Sequence, residues 1–164
     1  MNFEKAYGET SRREAEGAWF RASEVFASSG LSDGDDVAQI KLASSGAGNP
    51  RYQRFVLGQT LSRPGEDRRA LQMLLDGTAR GSTNAERAMR ALDESMGTQY
   101  RAYAETIVLD WKGFTDAAGE ELPYSAEYMA QVFEKYPRAF DDVKSFVEKL
   151  ENFQREAVED AVKN

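Results

Sequence analysis

Apolar residues recur at steps of three and four at positions 85, 88, 89, 92, 96, 100, 103, 104, 107, 108 and 111. That spacing, kept from Ala85 to Trp111, predicts one long amphipathic helix ending in IVLDW. Thr83 and Glu86 in front of it have capping-box spacing. Gly97 lies inside it, where glycine costs about 1 kcal/mol relative to alanine, so a bend is expected there. Gly113 breaks the pattern into a polar loop, and Ser125 can cap a second helix carrying Tyr128, Met129, Val132 and Phe133. That helix must stop before Pro137, because a residue preceding proline avoids helical angles. A last helix starts near Arg138 with the stripe Phe140, Val143, Phe146, Val147, Leu150 and Phe153. The stripe then thins to Ala157, Val158 and Ala161, so this helix is expected to extend as a solvated helix or arm unless a partner covers it.

Upstream the pattern changes. Residues 1–17 are polar and include Gly8 and Gly17, which predicts a flexible arm ahead of a single domain over 18–164. Within that domain, 18–43 reads as a β-ribbon. Trp19 to Phe26 is aromatic-rich but alternates poorly; Val37 to Ala43 puts Ala38, Ile40 and Leu42 on one face. The loop ASSGLSDGDD joins them. A two-stranded ribbon is barely stable in water, so it must lean on helices or take strands from another subunit. Asn49-Pro50 then starts a helix to about Leu61, with Tyr52, Phe55, Val56 and Gln59 on one face. Arg63-Pro64-Gly65 stops it. A short helix follows from about Glu66 to Asp76, with Ala70, Leu71, Leu74 and Leu75 inward, and Gly77 to Gly81 breaks it. The expected class is α+β, mainly α: an N-terminal ribbon of about two strands, then a bundle of about five helices over 49–164.

Composition narrows the function. No run approaches the roughly 18–20 apolar residues of a membrane span, and the N-terminus does not read as a secretory signal. The chain has no cysteine and no histidine. Thiol chemistry, disulfides, the commonest general base and the commonest metal ligand are therefore absent. The net charge of −7 is concentrated in residues 105–164, which hold 14 acids and 7 bases. That distribution argues against general nucleic-acid binding and suits solubility or steering toward a basic partner. The acid pairs 35–36, 120–121 and 141–142 read as solvated surface. Asp110, Asp116, Glu120 and Glu121 do not have the alternate spacing of a calcium loop. No cofactor, metal ligand or catalytic residue is expected. The residues singled out for partner binding are Arg51, Tyr52 and Arg54, which could suit an acidic partner, and Trp111, Phe114, Tyr124 and Tyr128. The last four read first as core. Part of that cluster could instead be an exposed anchor, since Trp and Tyr dominate interface hot spots.

Two stretches together carry a resemblance. Residues 37–64, VAQIKLASSGAGNPRYQRFVLGQTLSRP, contain an NPRY helix start after a short strand. Residues 104–137, AETIVLDWKGFTDAAGEELPYSAEYMAQVFEKYP, contain DW-x-G, a second glycine, and LPYS opening a helix. In this order the set resembles the tail assembly chaperones of long-tailed bacteriophages. The residues that match are Asn49, Pro50, Arg51 and Tyr52, then Asp110, Trp111, Gly113, Gly119, Leu122, Pro123, Tyr124 and Ser125. The resemblance implies a non-enzymatic protein that binds the tape-measure protein in the host cytoplasm. It would leave as tail tube subunits arrive and be missing from the finished virion. Homo-oligomers and a frameshifted longer form are further implications. A structural virion protein (neck, tube or decoration subunit) and an acidic inhibitor of a host nucleic-acid-binding protein are the alternatives.

Overall fold

A computed structural model describes residues 2–30, 38–62, 65–78 and 82–154. The chain is mainly helical with one small antiparallel sheet. Helix α1 spans Phe3–Glu16, β1 Ala18–Arg21, and α2 Ala22–Val25. Then come β2 (Gln39–Leu42), α3 (Pro50–Ser62) and α4 (Gly65–Leu75). Helix α5 (Ser82–Thr106), β3 (Val108–Lys112), α6 (Ala126–Lys135) and α7 (Pro137–Val147) complete the order. Residues 150–154 are also helical. The Ser-Gly-Asp loop beyond Gly30, the Arg63-Pro64 stop, the break at 79–81 and the tail after 154 lie outside the described residues.

The sheet has three strands in the order β1-β2-β3, so the ribbon gains its third strand from the far side of α5. This corrects the long-helix reading of IVLDW. Helix α5 stops at Thr106, and Val108–Lys112 pairs with β2. Thr106, Ile107 and Val108 are three β-branched residues in a row, which disfavours helix and favours an extended chain. A bulge explains how the apolar spacing misled. Ile40 faces Trp111 and Leu42 faces Val108, leaving one extra residue in β3. Without it, positions 108 and 111 would point to opposite faces. With it, both are buried on the inner face beside Phe20, Ile40 and Leu42.

Phe26, the end of the expected first strand, lies beyond a helical turn, since the chain leaves β1 at Arg21. Residues 3–16, expected to be a flexible arm, form a regular helix. The Asn2 side chain accepts from the Lys5 amide at 3.2 Å. Glu9 pairs with the exposed Arg12 at 2.7 Å and with Arg13, whose side chain is buried, at 3.1 Å. The C-terminal end is tied down where the Ser44 amide donates to the Glu14 carbonyl at 2.9 Å.

The core sits between the inner face of the sheet, the second half of α5, α6, α7 and Phe153. Phe140 is its centre, with edge-on rings from Tyr100, Tyr103 and Phe133 at 4.9, 4.9 and 5.3 Å. Phe20 from the sheet meets Phe146 and Phe153 edge-on at 4.9 and 5.7 Å. Such edge-to-face pairs add about 0.5–1.5 kcal/mol each beyond the area they bury. Helices α3 and α4 both pack against α5, with Tyr52 of α3 reaching Tyr103. Between positions 50 and 99 the buried residues, among those described, are only Ala88 and Ala91.

Candidate functional site

The two signature stretches converge on one place, the C-terminal end of α5. A helix end leaves its last carbonyls without partners inside the helix. Here side chains from both stretches supply them. Asn49 is fully buried, and its Nδ2 donates to the Thr106 carbonyl at 3.0 Å and to the Ser44 carbonyl at 2.8 Å. Its Oδ1 accepts from the Tyr52 amide at 3.3 Å, which caps α3. Arg51 Nη2 donates to the Glu105 carbonyl at 3.3 Å, where a cation also meets the negative end of the helix. From the other side the Tyr124 hydroxyl is shared between the Ala104 carbonyl and the Val108 carbonyl, the latter at 2.7 Å.

The loop between Trp111 and Ser125 is built to deliver Tyr124. Gly113 and Gly119 have φ of 74° and 83°, the left-handed region that favours glycine. Asp116 Oδ1 accepts from the Ala118 and Glu120 amides at 2.9 and 3.0 Å, so its carboxylate closes the turn. Trp111 Nε1 donates to the Leu122 carbonyl at 2.6 Å, pinning the return strand of the loop. Ser125 accepts from the Tyr128 amide at 3.3 Å and starts α6. Burial, reinforced by the nearby Asp110 and Glu105 carboxylates, pushes the Tyr124 phenol well above its ordinary range. Burial likewise raises Tyr103 and Tyr52, whose rings meet edge-on at 5.5 Å.

Trp111 is therefore a core residue, 7% exposed, with Phe114 stacked on it at 5.0 Å and Tyr124 edge-on at 5.0 Å. Phe114 and Tyr124 are half-buried. Tyr128, edge-on at 6.0 Å, is the one of the four that faces solvent, at 42% exposure. Arg51 and Arg54 are exposed and Tyr52 is half-buried.

Other exposed residues were not singled out in the sequence. Met89, Leu92 and Met96 belong to the apolar stripe of α5, yet all three are exposed, while Ala88 and Ala91 are buried in their place. Leu57 and Leu61 on α3 are also exposed, as is Leu75 on α4, which the sequence pattern places inward. Met96 borders a groove of about 1090 Å³ between α3, α5 and α6. Asp93, Glu94, Glu105, Glu127 and Glu134 line it, and Arg101 is the one cation among the described lining residues. The groove draws on helices some 30 residues apart in sequence, so only the fold assembles it. Among the described residues, no group of acids is placed to hold a metal ion and no helix is long and apolar enough to cross a membrane.

A family model described as YdaY prophage protein matches residues 65–164. The chain belongs to the YdaY prophage protein family. It is thus phage-derived. The YdaY match spans α4 to the end of the chain, so Trp111, Phe114, Tyr124, Tyr128 and the five groove carboxylates fall inside it. Asn49, Arg51, Tyr52 and Arg54 fall outside, although Asn49 and Arg51 clasp the same helix end. No curated protein and no solved structure matches the chain.

Proposed function

We propose that this YdaY-family protein is a non-enzymatic tail assembly chaperone that holds the tape-measure protein soluble until tail tube subunits replace it. One observation carries the reading: α5, with α3 and α4 beside it, exposes a row of long flexible apolar side chains on an otherwise acidic chain. Met89, Leu92 and Met96 stand one turn apart, with Leu57 and Leu61 exposed on α3. Exposed apolar residues gathered on neighbouring elements mark sites of protein association. Methionine is the side chain best able to repack against varied partners, as a chaperone for a long and irregular helix requires. The tape-measure protein is such a helix, with apolar stripes uncovered before the tube encloses it. Several copies along one chain would add avidity to a modest single contact. The surplus acid keeps the complex in solution.

Co-expression with the tape-measure protein of the same prophage tests this. The tape-measure protein is expected to move from the insoluble to the soluble fraction and to co-purify. No change in its solubility overturns the reading. Mass spectrometry of purified particles separates the chaperone from a structural virion role: the chaperone is missing from finished particles, and a stoichiometric band means a virion subunit.

A further inference from the structure

The groove between α3, α5 and α6 is lined in part by very small residues. Gly97 lies midway along α5, and a Cβ placed on it would meet nothing within 4 Å among the described residues. Ala126 and Ala130 of α6 line the same groove. Glycine weakens a helix interior, and here no neighbour among the described residues requires it. What its bare backbone does provide is room for a second backbone to approach closely. The walls are charged in one sense: Asp93, Glu94 and Glu105 on α5, Glu127 and Glu134 on α6. Arg101 answers only one of them, so the described lining is strongly negative. Met96 at the rim continues into Leu92 and Met89, an apolar lead-in one turn at a time.

We propose that this groove seats a cationic amphipathic helix. The bound segment would turn small or apolar residues toward Gly97, Ala126 and Ala130 and run Lys or Arg along both flanks. This rests on the chaperone reading for the protein that carries the helix, and it adds the chemistry that selects the segment. Charge complementarity chooses the occupant: an acidic or neutral helix would leave the five carboxylates facing one another as the groove closes and water leaves. A cationic helix meets each wall with an opposite charge and is steered in from a distance.

Two synthetic helices of about 18 residues, roughly 27 Å long, are suitable probes. They share one Leu/Ala stripe; one has Lys and Arg on its flanks, the other Glu. Calorimetry on the full chain is expected to give binding of the cationic peptide and none of the anionic one. That binding should weaken at least about tenfold between 0.1 M and 1 M salt, as the Debye length falls from about 10 Å to about 3 Å. Glu94→Lys combined with Glu127→Lys is expected to weaken it by about tenfold or more. Gly97→Leu should abolish it by filling the groove. The melting temperature of that variant should hold or rise, since leucine is the better helix former, and so its loss of binding is not unfolding. Equal binding of both peptides, or unchanged binding to Gly97→Leu, overturns the proposal. If the wild type holds the cationic peptide but does not solubilise the tape-measure protein, the chaperone reading falls and the groove assignment stands. If it solubilises that protein and Gly97→Leu does so equally well, the groove assignment falls and the chaperone reading stands.

Discussion

The two halves of α5 live in different surroundings. From Tyr100 to Ile107 the chain is enclosed: Tyr100, Tyr103, Ala104 and Ile107 are buried against the sheet, α6 and α7, and three side chains clasp the carbonyls at the helix end. From Met89 to Met96 the same helix buries alanines and shows solvent its larger side chains. One half is held by shape and hydrogen bonds, the other leaves apolar surface uncovered. On the chaperone reading proposed above, the first half fixes the frame and the second would do the holding. The contrast shows why strong periodicity is not the same as burial: a helix keeps its spacing on a face that the core does not cover.

The contrast can be broken by mutation. Phe140→Ala removes the ring at the centre of the aromatic core. It should cost about 3–5 kcal/mol in chemical denaturation. Asn49→Ala leaves the buried Thr106 carbonyl without its side-chain partner and takes the cap from α3. A loss of about 2–3 kcal/mol is expected. Tyr124→Phe keeps the packing and removes one hydroxyl, a loss of about 1 kcal/mol. It also sharpens a pH effect. Because the folded state raises the Tyr124, Tyr103 and Tyr52 phenols, the stability they contribute is intact below the ordinary tyrosine pKa of about 10 and falls as pH rises past it. Urea midpoints measured toward alkaline pH should therefore decline, and less steeply in Tyr124→Phe. Leu92→Ser, on the exposed half, should stay within about 0.5 kcal/mol of the wild type. It should nevertheless weaken the solubilisation of the tape-measure protein. If Leu92→Ser unfolds the chain as Phe140→Ala does, the two halves are not different in kind.

Much of the frame was legible in the sequence because short-range signals decide it. Asn49-Pro50 opens α3, Ser125 caps α6, and Pro137 ends α6 and begins α7, as local chemistry requires. What escaped depended on distant parts of the chain. Residues 107–111 satisfy a helical spacing and a bulged strand equally well, and only the open edge of β2 decides between them. Helix α1 has few large apolar residues and is held by the pairs of Glu9 with Arg12 and with the buried Arg13 and by one anchored end, which polarity alone disguised as an arm. The signature letters have a structural reason. Asn49, Trp111 and Tyr124 form a joint between helix and strand, while the exposed residues lie farther back along α5.

The third strand also sets the order in which this protein can be made. β1 and β2 leave the ribosome with Phe20, Ile40 and Leu42 on one side, and the pieces that cover that side arrive only with residues 100–153. Synthesis at about 5–20 residues per second leaves the bare ribbon waiting for several seconds at least. The protein thus passes through a sticky stage of its own, and a nascent chain halted before Val108 would be a client for the host's folding machinery rather than a smaller working version of the whole.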